Sequence, residues 1–82
     1  MKLSIIENLL QGSIDMHVHH SPDPKTERSV DALQAARHAQ EAGMRAIVLK
    51  SHDYPTVPVA YLVNQIVDNV VVLGSISLNL EV

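Results

Sequence analysis

The chain has 82 residues, a net charge of −3, no cysteine, no Phe or Trp and only two Tyr. Its few Lys and Arg are scattered and it has almost no aromatic surface to stack on bases, so nucleic-acid binding gains no support. Disulfides and thiolate metal sites are excluded. The absence of cysteine fits a reducing, cytoplasmic compartment.

One small domain is the expectation over 1–82, with a core of Val, Ile, Leu and Ala. A chain of this size buries only roughly 60–65% of the surface it exposes unfolded, so its stability is expected to be marginal. The opening stretch, "MKLSIIENLLQGS", is too short and too polar for a signal peptide or a membrane span.

In chain order, residues 3–11 predict a short helix, with Leu3, Ile6 and Leu10 at helical spacing and Gly12 after its end. Residues 13–19 then alternate. Ile14, Met16 and Val18 share one parity, and Ser13, Asp15, His17 and His19 share the other, which predicts a strand with one apolar face. "SPDPKTER" is a loop. A helix follows, with Ser29 as the expected N-cap, Asp31 in its first turn, a small-residue face of Ala32, Ala35, Ala36, Ala39 and Ala42, and Gly43 at its end. "RAIVLK" reads as a strand buried on both faces. "SHDYPTVP" is a loop, with Thr56 as N-cap and Pro58 in the first turn of the next helix. Val59, Leu62, Val63, Ile66 and Val67 give that helix its apolar stripe, and residues 70–78 predict a third strand.

Alternating helices and strands with short connections imply parallel strands and right-handed crossovers. The fold class is therefore α/β, and the βαβαβ order suits the N-terminal portion of a (β/α) TIM-like barrel. A full barrel takes roughly 200–250 residues. The chain stops at "SLNLEV", just after a strand, so the expectation is the first third of a larger barrel, truncated after three strands. The alternative is a self-contained mini-domain stabilised by self-association.

"DMHVHH" places three of the five histidines within four positions. On a strand, His17 and His19 project together, and two imidazoles at that spacing can converge on one ion. They are the expected metal ligands, with Asp15 as a supporting carboxylate on the same face. His20 falls on the apolar parity. In parallel α/β folds, sites gather at the C-terminal ends of strands. There His17 and His19 close the first strand, Lys50 and His52 the second, and Ser75, Ser77 and Asn79 the third.

His52 is a candidate third ligand or catalytic group; alone, it would be a loop histidine. Lys50 could bind a substrate carboxylate or phosphate, could bridge metals as a carbamate, or could simply snorkel. Asp53 is a candidate acid behind the ligands, or a turn residue. Asp23 reads better as a turn residue than as a ligand, Arg28 as a solvated cation, and His38 as an exposed helix residue.

"IDMHVH" followed by a Pro/Asp loop resembles the opening motif of the amidohydrolase and PHP (polymerase and histidinol phosphatase) metal-dependent hydrolases. "EAGMRAIVLKSHD" is similar to the second PHP motif. The resemblance covers about residues 13–55. It implies that His17 and His19 are the HxH metal ligands and that His52 is the second-motif histidine. Lys50-Ser51 stands where that motif usually has Thr-Asp, and the first loop lacks the usual Ser-Asp-Gly, so the chain resembles a divergent branch. The implied protein is a hydrolase whose divalent metal (Zn²⁺ first, Mn²⁺ or Fe²⁺ as alternatives) activates water against an amide, ester or phosphoester of an unidentified small molecule. The ligands supplied by later strands in those families lie in regions this chain lacks, so the 82 residues alone are expected to be inactive. The rival readings are a non-enzymatic metal-binding module that folds as a homo-oligomer, and an inactive fragment whose exposed apolar faces aggregate.

Overall fold

The computed structural model describes residue 5 and residues 8–78. It contains β1 (Ile14–His19), α1 (Ala32–Glu41), β2 (Ala46–Lys50), α2 (Val57–Asn64) and β3 (Val71–Leu73). All three strands are parallel, in the spatial order β1-β2-β3. The helix expected over 3–11 lies largely outside the described residues; residues 8–10 are helical.

The α1 helix begins two residues later than the expected Ser29 cap. Asp31 is the N-cap because Gln34 stands three residues on and completes a capping box. The Gln34 amide donates to the Asp31 carboxylate at 2.7 Å, and the Asp31 amide donates to Gln34 Oε1 at 2.8 Å. Ala42 is the C-cap, and Gly43 follows with φ +73°, a left-handed conformation that suits glycine. The small-residue face packs as its spacing requires, with Ala32, Ala36 and Ala39 buried.

Those alanines join Ile47 and Leu49 of β2, Ala60, Val63 and Val67 in and after α2, and Val70 and Val72 at β3 in one core. Ile47 and Leu49 are two apart and share a face, so both helices cover the same side of the sheet. On the other side, Ile14, Val71 and Leu73 are 50%, 52% and 47% exposed. Among the described residues no helix covers that face.

Two expectations are corrected. Of the α2 stripe, only Val63 and Val67 are buried, while Leu62 and Ile66 are 62% and 54% exposed. The helix is turned by Asn64, whose side chain donates to the Val72 carbonyl at 2.8 Å and accepts from the Val72 amide at 2.9 Å. The third strand ends at Leu73 instead of running to 78. Beyond it, the Ser75 amide donates to Thr56 Oγ1 at 2.8 Å and the Ser75 carbonyl accepts from the Thr56 amide at 2.9 Å. Those backbone groups are therefore taken from the β2 ladder. At Gly74 a side chain would collide with the Val57 backbone, so the chain crosses the start of α2 only as glycine.

Candidate functional site

Register decides where the histidines point. Ile14 and Asp15 pair with Ala46 and Ile47, but Val18 and His19 pair with Leu49 and Lys50, so β1 carries one extra residue between Asp15 and Val18. A bulge of this kind resets the alternation of faces. Asp15 aligns with Ile47, on the helix side, and lines a largely apolar cavity of about 320 Å³ together with Val18, Ile47, Ala39 and His38. His19 aligns with Lys50, on the open side.

The expectation that Asp15 shares a face with His17 and His19 is therefore corrected. Its carboxylate accepts the His17 backbone amide at 3.0 Å, holding the bulge and not an imidazole. His38 is exposed, as read from the sequence, and forms part of the wall of the same cavity.

His17 and His19 do come together. Their Nε2 atoms are 2.9 Å apart, with ring centroids at 4.8 Å and planes at 64°. Two nitrogens 2.9 Å apart can both lie about 2.0–2.1 Å from one ion, subtending roughly 90° there. A tetrahedral angle would ask for about 3.3 Å between them, an opening of only ~0.4 Å. Partial burial, then the Arg28 guanidinium, then His17 and His52 lower the His19 pKa, and Asp23 opposes them. The neutral imidazole, which is the form that can bind a metal, is favoured.

The ring of His52 stacks on His19 with centroids 5.3 Å apart and planes at 29°. It neighbours the pair without converging on it. Among the described residues no group of three or more His, Cys, Asp or Glu is placed to hold one ion, so the expected set of His17, His19 and His52 is not assembled. The spacing of the pair itself fits a divalent metal. His20, of the apolar parity, is buried. Its Nδ1 lies 3.0 Å from the Ser21 carbonyl, while Nε2 meets no partner among the described residues.

The loops after β1 and β2 frame the pair. Asp23 is a turn residue, as its place between prolines suggests. It accepts the Lys25 and Thr26 amides at 3.0 Å each, and Arg28 Nε donates to it at 2.9 Å. Those amides, and secondarily the guanidinium, hold its pKa down at about 2. Arg28 is thus engaged and not the solvated cation its sequence position suggested. Asp53 pairs with Lys25 at 3.3 Å, which ties the second loop to the first. Tyr54 Oη donates to the Pro22 carbonyl at 2.6 Å, and burial together with Asp23 and Asp53 raises its pKa.

Ser75 and Ser77 serve the frame. Their hydroxyls donate to the Leu49 and Ser51 carbonyls at 2.5 and 3.0 Å. Asn79 lies outside the described residues. The bulge, the Arg28–Asp23 pair and the serine contacts had no signal in spacing alone, because each depends on a partner brought from elsewhere in the chain.

No curated protein and no solved structure matches the chain. Residues 12–82, from the turn before β1 onward, match a family of unknown function, DUF6282. The bulged histidine strand and the framed C-terminal edge thus lie wholly within that match, and the chain belongs to the DUF6282 family.

Proposed function

We propose that this chain carries the first metal-binding elements of a metal-dependent hydrolase on a (β/α) barrel. The observation that carries the reading is the His17–His19 pair, with Nε2 atoms 2.9 Å apart at the C-terminal edge of a parallel sheet. That edge is where parallel α/β folds assemble their chemistry. The pair stands on the face without helices, which would be the interior of a closed barrel. The resemblance of "IDMHVH" to the amidohydrolase and PHP opening motif points the same way.

His17 and His19 would hold the ion. Zn²⁺ is the first expectation, since imidazole suits it, with Mn²⁺ or Fe²⁺ as alternatives. A divalent ion there would supply Lewis acidity and an activated water. His52, stacked on His19, would orient it, and Asp53 would hold the two loops in place through Lys25. An amide, ester or phosphoester of a small molecule is the substrate class.

The uncovered apolar face gives specific support to a second reading, a metal-binding module that assembles with copies of itself and catalyses nothing. Coordination separates the two. The purified chain is stripped with chelator and reloaded with Co²⁺, whose visible absorption reports its ligands. The hydrolase reading expects an open site: added acetohydroxamate changes the spectrum, and His17→Ala/His19→Ala abolishes it. A spectrum that added acetohydroxamate leaves unchanged, as in a shell closed by protein ligands, would favour the module.

A further inference from the structure

The C-terminal edge carries an unbalanced positive charge, and Lys50 is its centre. β2 delivers Lys50 in register with His19, on the same open face. Its side chain is half-buried at the strand end. The carboxylates of the framing loops are already committed: Asp53 to Lys25 at 3.3 Å, and Asp23 to Arg28 at 2.9 Å and two backbone amides. Asp15 pairs with Ile47 and lies on the helix side, away from Lys50. Among the described residues, Lys50 has no hydrogen bond and no ion pair. Its cross-strand partner is His19, whose ring meets His17 and stacks on His52. An ammonium at the rim of the edge with no carboxylate partner among the described residues is open to an anion.

We propose that Lys50 is the receptor for an anionic oxygen group, a carboxylate or a phosphate, on the molecule that the histidine pair acts upon. This rests on the reading of the edge as a substrate site, and it adds the substrate's class: a small acid or phosphate-bearing compound, not a neutral amide or ester. A single lysine recognises such a group as a point charge, so binding weakens as salt rises.

The test uses the whole chain, metal-free, titrated separately with inorganic phosphate and with acetate. The Lys50 side-chain ¹³Cε resonance and the ring resonances of His17 and His19 are followed by NMR. A saturable shift at Lys50 is expected with at least one anion. Lys50→Met should weaken that binding by about tenfold or more, the usual scale for a lost charged hydrogen bond, whereas Lys50→Arg should retain it. A response to phosphate alone assigns a phosphoryl group, to acetate alone a carboxylate, and to both the shared anionic chemistry. No saturable shift at Lys50 in the wild-type chain, or unchanged affinity in Lys50→Met, overturns the proposal. Metal content is measured on the same preparation before it is stripped. Metal held without anion binding sinks the Lys50 assignment alone; anion binding without metal leaves Lys50 standing and removes the metal reading.

Discussion

Asp23 shows how much of the site's frame hangs on one carboxylate. It gathers two backbone amides and the Arg28 guanidinium in the loop beside His19, and its pKa falls to about 2. The folded value lies below the ordinary 3.8. Its contribution is therefore fully present above pH 3.8 and is lost as pH falls through about 2. Amide protection of Lys25 and Thr26, measured by hydrogen exchange, should weaken across that window in the wild-type chain. In Asp23→Ala it should be low throughout and independent of pH there. Equal protection in both proteins would show that the carboxylate does not order the loop. At this scale the sequence was informative about residue types and less so about directions. The His-x-His spacing implies two rings on one side, and the rings do meet. Asp15 takes the face opposite to His19 because strict alternation holds only until a strand gains an extra residue. That residue is visible only against the partner strand.

At the scale of elements, Thr56 joins three of them. Its position before Pro58 marks the start of α2 in the sequence, yet its side chain does not cap the helix. The fully buried hydroxyl donates to the Leu49 carbonyl at 2.8 Å and accepts the Ser75 amide at 2.8 Å, linking β2 to the segment after β3. Thr56→Val keeps the shape and leaves the Ser75 amide and the Leu49 carbonyl without that partner. It should cost about 1–3 kcal/mol in urea unfolding, with Thr56→Ser closer to wild type. A Thr56→Val chain as stable as the wild type would contradict this role. The order of helices and strands was legible because it rests on local periodicity and caps. The outward turn of Leu62 and Ile66 was not, because it depends on Asn64 finding Val72 eight residues away. Nor was the end of β3, which depends on Gly74 crossing Val57.

At the scale of the molecule, both helices cover one side of a three-stranded parallel sheet, and the other side presents Ile14, Val71 and Leu73. Parallel sheets are ordinarily covered on both faces, and a contiguous exposed apolar surface favours association. Sedimentation of the wild-type chain should therefore show a mass that rises with concentration, and Val71→Lys/Leu73→Lys should reduce it while leaving the helix-side core unchanged. A wild-type chain that stays monomeric at high concentration would count against an adhesive face. The histidine pair stands on that same open side, so what covers the sheet also bears on what completes the site. The most direct measurement is the metal content per protomer of the purified wild-type chain beside His17→Ala/His19→Ala, with the oligomeric state recorded on the same samples. Near-stoichiometric divalent metal in the wild type and none in the folded double variant is the predicted result. A folded wild-type chain without metal, or a double variant that keeps it, would contradict the assignment of His17 and His19 as ligands.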